Sequence, residues 1–251
     1  MACASKALES LAAPAEVAWT ARAATARSDY EANLIAPSVA PFDMAVLIKT
    51  LQRLLPDSTV YTNGAGNFSG WLHRYCRHPG LQHHGRTQLA PSSGAMGYGL
   101  PAAVSAALLQ PQRWAVNIAG DGDFLMNGQE LATATGYGAR KLLSVVVDNG
   151  TYGTIRMHQE RDYPGRVSGS DLHNPDFAAL ARAYGWRAEC ITDTAQFEPA
   201  LARAIAAGTP TLLHLRLSAD VSTSRTTLGA IRDAMNSKDL SQGISVEVGE
   251  T

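Results

Sequence analysis

Gly120-Asp121-Gly122-Asp123 and Asp148-Asn149-Gly150-Thr151-Tyr152-Gly153 are the segments of this chain whose side chains best suit chemistry on a phosphate. Each follows an apolar run, Trp114–Ala119 before the first and Leu142–Val147 before the second, that reads as a buried strand. Gly120 and Gly122 let backbone N–H groups come close to a phosphate, and a helix starting near Asn127 would add its positive end. Asp121 alone would repel a phosphate. A divalent cation between them removes the repulsion, and Mg2+ takes oxygen ligands and bridges carboxylates to phosphates. Asn149 offers an amide oxygen and Thr151 a backbone carbonyl, so Asp121, Asn149 and Thr151 make an all-oxygen set. Taken alone, Gly-Asp-Gly equally marks a tight turn with an aspartate capping a helix. The full arrangement is narrower: a strand, Gly120-Asp121-Gly122, 26 intervening residues with one helix, and a strand running into Asn149.

The elements that must position these residues alternate. Residues 1–35 read as an Ala-rich helix, and Pro37, Pro41 and Asp43 mark a boundary. Met44–Leu55 carries apolar residues at helical spacing and stops at Pro56-Asp57. Ser58–Thr62 is β-rich and ends in the glycine-rich turn Asn63–Asn67. Helices are expected over Gly97–Leu109, Gly128–Tyr137, Phe177–Tyr184 and Phe197–Ala207, and a last strand over Thr211–Leu217. Strands apolar on both faces between helices imply an α/β fold with a parallel sheet covered on both sides. The expected organisation is a helical linker or remnant of a middle domain over 1–40, one α/β domain over 41–235, and a loose polar tail over 236–251. Ligands of such sheets bind beyond the carboxyl ends of the strands.

The span from Gly120 to Asn149 resembles the thiamine-diphosphate motif, which opens with GDG and closes with an asparagine pair at this separation. Asp148 stands here in place of the first asparagine, and Asn149 aligns with the metal ligand. The resemblance covers roughly residues 40–230. It is to the C-terminal, diphosphate-binding domain of acetolactate synthases and benzoylformate decarboxylase. Gly94-Ala-Met-Gly-Tyr-Gly99 is similar to the family segment whose hydrophobe wedges the cofactor into a V. That makes Met96 the wedge and gives the Gly94 carbonyl the amino group of the aminopyrimidine. Gly66 and Asn67 align with the loop on the far side of the diphosphate. Asn149–Ile155 matches the turn that faces substrate, which adds Tyr152 and Gly153 to the cofactor contacts and Ile155 to the substrate pocket. By the same resemblance Gly120, Asp121, Gly122 and Asp123 touch the cofactor, and Asp121, Asn149 and Thr151 hold Mg2+.

The resemblance implies loss of CO2 from a 2-keto acid with thiamine diphosphate as electron sink. Attack on a second carbonyl (carboligase) or protonation (decarboxylase) would follow. The glutamate that activates the cofactor in this family lies on a separate N-terminal domain, usually from another subunit. No second α/β pattern precedes residue 40, and Glu130, on the crossover helix, does not match that role. The expectation is therefore a cofactor-binding subunit or fragment of a carboligase of acetolactate-synthase type, working in a homo- or hetero-oligomer with a pyrimidine-binding domain on another chain. A decarboxylase similar to benzoylformate decarboxylase, and a non-catalytic remnant that still binds the cofactor, are the alternatives. No G-x-G-x-x-G follows the first strand, which disfavours a dinucleotide fold.

Composition excludes other classes. A net charge of −1 over 251 residues offers no broad basic surface for nucleic acid or anionic membrane. No apolar run approaches the roughly 20 residues that span a bilayer. Cys3, Cys76 and Cys190 are far apart and odd in number, which reads as reduced thiols in the cytoplasm. Glu9 and Glu16 interrupt the basic bias of a transit peptide. His73, Cys76, His78, His83 and His84 lack zinc spacing. Gln159–Tyr163 reads as an exposed face or a lid, and Ser92-Ser93 lacks the elbow of a serine nucleophile.

Overall fold

The computed structural model describes residues 18–35, 42–78 and 85–243. The chain divides at Pro37/Ser38 into two units. The first is described by one helix, α1 (Thr20–Asn33), none of whose residues is buried. The rest of the expected N-terminal helix lies outside the described residues.

The second unit follows the order α2 (Met44–Leu54), β1 (Val60–Asn63), α3 (Ser69–Tyr75), β2 (Gln88–Leu89), α4 (Gly99–Leu109), β3 (Ala115–Gly120), α5 (Asp121–Asn127) and α6 (Glu130–Gly136). It continues with β4 (Leu142–Asp148), α7 (Gly153–Asp162), α8 (Phe177–Ala183), β5 (Arg187–Ile191), α9 (Thr194–Ala207), β6 (Thr211–Arg216) and α10 (Leu228–Gly243). The strands form one sheet in the order β2-β1-β3-β4-β6-β5, and every pairing is parallel. β3 is buried throughout, and β4 and β6 are buried except at their last residues. That is why these strands read as continuous apolar runs. On one face Leu100, Val104, Phe124, Leu131, Phe177 and Trp186 pack with Leu142, Val146 and Leu212 of the central strands. α2 begins where the Asp43 side chain accepts hydrogen bonds from the N–H groups of Ala45 (2.9 Å) and Val46 (3.2 Å), a cap worth about 1 kcal/mol.

Some elements differ from the sequence reading. The crossover expected to hold one helix holds two: α6 lies where that helix was expected, and α5 precedes it from Asp121. Gly120 is extended and acts as N-cap, and Asp121 and Asp123 fall in the first turn, where the helix dipole favours acids. α3, β2 and β5 had no clear signal. β5 is an edge strand of mostly half-exposed and exposed residues, so no apolar alternation marks it. Beyond Met235, where a loose tail was expected, α10 runs on to Gly243.

In Gln159–Tyr163, Arg161, Asp162 and Tyr163 are exposed as expected, but Glu160 is not. The segment closes α7, and the Glu160 side chain is buried at 1% exposure. Its carboxylate accepts from the Arg232 guanidinium (2.7 Å from Nε), the Gly165 N–H (2.9 Å) and Arg156 (3.3 Å). The hydrogen bond from Arg232 is the main reason its pKa falls to about 2, against an ordinary 4.5. A depressed carboxylate contributes stability above its unfolded pKa and loses it as pH falls through the folded value. The α7–α10 clamp is therefore complete above pH 4.5 and fails as pH falls toward 2. Glu160→Gln should lower stability by about 2 kcal/mol at pH 6 and flatten this acid limb, as read by thermal melts between pH 2 and 6. An unchanged acid limb in the variant would show that other carboxylates set it.

Candidate active site

The chain passes from β1 out to β2 on one side and returns to β3 on the other, so a topological switch point lies between β1 and β3. There, at the carboxyl ends of β1, β3 and β4, the following loops line a cleft of ≈ 270 Å³. Among the residues picked from the sequence, Gly66, Asn67, Met96, Gly120, Asp121, Gly122, Asp123, Asn149, Thr151, Tyr152, Gly153 and Ile155 line this cleft. Gly94 does not. It is exposed, at φ +68°, in the turn leading to Met96.

Asp121 is 3% exposed. Its carboxylate accepts from the N–H groups of Gly122 (2.9 Å) and Gly150 (2.9 Å) and from Asn174 Nδ2 (2.7 Å). Burial nevertheless pushes its pKa up to about 6, because three neutral donors do not make up for lost water. Asn149 folds its side-chain oxygen back onto the Thr151 N–H (3.3 Å) in an Asx turn, which fixes the amide at the cleft wall. Thr151 is pinned in turn by its hydroxyl, which donates to the Ser170 carbonyl at 2.7 Å. Gly122 must be glycine: a Cβ there would lie 2.5 Å from the Tyr152 ring.

Asp148 Oδ1 accepts from the Gly150 N–H at 3.1 Å, so Asp148 shares that donor and Asn174 with Asp121 while its other oxygen reaches into the sheet. One oxygen accepts from Asn174 Nδ2 at 2.8 Å, and the other lies 2.8 Å from His214 Nε2. Burial raises its pKa, but the hydrogen bonds from His214 and Asn174 outweigh that and hold it below the ordinary value. The negative charge expected at this turn thus lies beside Asp121, whose pKa it helps to raise, while the second Asp148 oxygen faces a histidine. Asn174 and His214 were not singled out from sequence. A signal existed for His214: it interrupts an apolar strand, and the register Val146↔His214 puts it on the face that Asp148 shares two residues on. Phe68, Trp71, Val221 and Ser222 also line the cleft and were missed.

Asp123 holds two loops together. Its Oδ1 accepts from the N–H groups of Gly97 (2.8 Å) and Ala65 (3.2 Å), and burial raises its pKa to about 6. Asn127 Nδ2 donates to the Gly97 carbonyl at 3.0 Å. The turn that presents Met96 is therefore clamped onto α5. Met96 is 38% exposed, which is unusual for a core methionine and suits a side chain awaiting a ligand. Met96→Ala should reduce turnover roughly 100-fold while changing cofactor affinity far less, since a wedge acts on alignment. Affinity that collapses while turnover per bound cofactor stays normal would reduce Met96 to packing.

His73 and His78 pair with Asn63 and Thr87, each at 3.2 Å, and among the described residues no cluster of His, Cys, Asp and Glu is arranged for a metal. His83 and His84 lie outside the described residues. No described helix is long and apolar enough to cross a membrane.

A parallel sheet with glycine-aspartate turns at its switch point defines the class, a diphosphate-binding α/β domain. Residues 64–215 match the family "Thiamine pyrophosphate enzyme, C-terminal TPP binding domain", and the chain belongs to that family. It is 35% identical over 213 residues to the acetolactate synthase large subunit of Parasynechococcus marenigrum, covering 84% of this chain and 33% of that protein. It is 36% identical over 125 residues to benzoylformate decarboxylase of Pseudomonas aeruginosa, covering 50% and 24%. The thiamine diphosphate-dependent 4-hydroxybenzoylformate decarboxylase of Rhodococcus jostii RHA1 superposes with a TM-score of 0.63 at 31% identity, covering 73% of this chain and 34% of that one. The chain spans about a third of the length of the first of these.

Proposed function

We propose that this chain is the Mg2+- and thiamine-diphosphate-binding part of a 2-keto-acid carboligase of acetolactate-synthase type, completed by a partner domain that supplies the activating glutamate. The observation that carries the reading is Asp121: a carboxylate 3% exposed, its pKa raised by burial, beside an amide and a carbonyl in a cleft of the right topology. A hard cation fits this donor set and relieves the cost of ionising Asp121. Asp121, Asn149 and the Thr151 carbonyl would hold Mg2+, and the backbone at Gly120 and Gly122 would cradle the diphosphate. When bound, thiamine diphosphate would serve as the electron sink for decarboxylation.

The chain's own residues would bind, orient and exclude water. Asn174 and the Gly150 N–H fix the orientation of the Asp121 carboxylate. Phe68, Trp71 and Val147 give the cleft apolar walls, and Ile155, which lines it and is 53% exposed, would meet the substrate. Among the described residues the carboxylates lining the cleft are Asp121, proposed for the metal, and Asp123, bonded to the Gly97 and Ala65 N–H groups, so we assign the activating carboxylate to a partner domain. We propose that this domain is presented from another chain in a homo- or hetero-oligomer. A decarboxylase is the second reading, favoured by the superposition on the Rhodococcus enzyme. Calorimetry of thiamine diphosphate with and without Mg2+ tests the binding half. Product analysis after mixing with a partner separates acetolactate-type products from simple aldehydes.

A further inference from the structure

We infer that Ser222 is a binding residue of this cleft, its hydroxyl donating to an oxyanion held at the start of α7. The inference rests on the thiamine-diphosphate reading for the source of that oxyanion. Ser222 is 2% exposed and lines the cleft, and its Oγ has no hydrogen-bonding partner among the described residues. A buried hydroxyl left unpaired is costly, and a cleft wall is where a ligand would pair it. Its position is specific. A Cβ built on Gly153 would lie 2.3 Å from Ser222 Oγ, so the hydroxyl occupies the space over the first residue of α7. That helix is ten residues long, and its N-cap, Tyr152, makes no side-chain cap. The N–H groups of its first turn and the positive end of its dipole therefore open beside the hydroxyl.

The loop that carries Ser222 is held firmly. The Leu217 N–H donates to the Asp148 carbonyl at 2.8 Å, and the Ser222 N–H to the Asp220 carbonyl at 3.1 Å. Asp220 in turn accepts from the Leu228 and Gly229 N–H groups at the start of α10. Ser222 is thus fixed to β4 on one side and to α10 on the other. A donor fixed in place, next to a free helix N-terminus and a glycine that leaves room, suits a negatively charged oxygen. Two sources share that chemistry: the terminal phosphate of the cofactor and the carboxylate of the keto acid.

The test uses the full chain and Ser222→Ala, with inorganic diphosphate plus Mg2+ and thiamine diphosphate plus Mg2+ as calorimetric probes. If the phosphate is the partner, both probes bind roughly tenfold or more weakly to the variant, the loss expected of one hydrogen bond to a charged group. The ligand-free melting temperature should stay the same or rise, because an unpaired buried hydroxyl has been removed. A merely structural serine would instead lower it. If both affinities are unchanged but the keto-acid KM of the partner-complemented enzyme rises by a similar factor, the oxyanion is the substrate carboxylate. Unchanged affinities and an unchanged KM would overturn the role of Ser222. If the unaltered chain binds neither probe, the cofactor reading fails and the Ser222 assignment falls with it, a result distinct from loss confined to the variant.

Discussion

Asp121→Ala is expected to abolish Mg2+-dependent binding of thiamine diphosphate, weakening it on the order of 100-fold or more. The diphosphate would lose the cation that offsets its charge, and the helix N-terminus of α5 alone supplies only a partial positive charge. The substitution also leaves the N–H groups of Gly122 and Gly150 and the Asn174 amide without their acceptor. Folding is therefore checked by circular dichroism, and Asp121→Asn, which keeps the shape and one oxygen, provides the second variant. Both should bind the cofactor no better with Mg2+ than with a chelator. The pH profile gives a second reading. Burial holds the Asp121 pKa near about 6, so below that pH protons compete with the cation. The Mg2+ affinity of the unaltered chain should weaken as pH falls through this value, and that inflection should vanish in Asp121→Asn. Undiminished Mg2+-dependent affinity in a folded Asp121 variant would sink the metal assignment.

The second large effect concerns catalysis. The chain assayed alone with pyruvate, thiamine diphosphate and Mg2+ should show at least about 100-fold less turnover than the same chain mixed with a partner bearing the glutamate domain, the usual scale of general acid–base assistance. The physical reason lies at the far end of the cleft. The carboxylates that line it serve the proposed metal and the loops around Met96. Among the described residues none is left to act on a pyrimidine projecting past Met96. Met96 is half-exposed there, and half-exposed Met126 packs near the adjoining Gly97, leaving an apolar surface suited to covering by another domain. Light scattering with the partner should accordingly show association. Full turnover by the isolated chain would reveal a base that the cleft geometry does not suggest. No gain with any glutamate-bearing partner would favour a protein that binds the cofactor without using it.

Much of this was legible from local sequence. The apolar runs of β3, β4 and β6 specified buried parallel strands, because only a sheet covered on both faces tolerates such continuous burial. The spacing from Gly120 to Asn149 specified two adjacent strand ends around one crossover, and the Gly/Asp/Asn chemistry at those ends specified an oxygen-rich, phosphate-sized opening. What stayed hidden are relations between side chains far apart in sequence. Asp148 read as an extra charge at its turn, but not as the partner of His214, 66 residues away, which the β4–β6 register brings to its second oxygen. Glu160 read as solvent-exposed, yet Arg232 from α10 covers it. Ser222 carried no local signal at all, and its unpaired hydroxyl matters only because the loop after β6 returns over Gly153. Periodicity and turn chemistry act over a few residues and so are written in the chain. The partner that neutralises a buried charge or faces an open helix end is set by strand order and loop closure, which only the folded sheet decides.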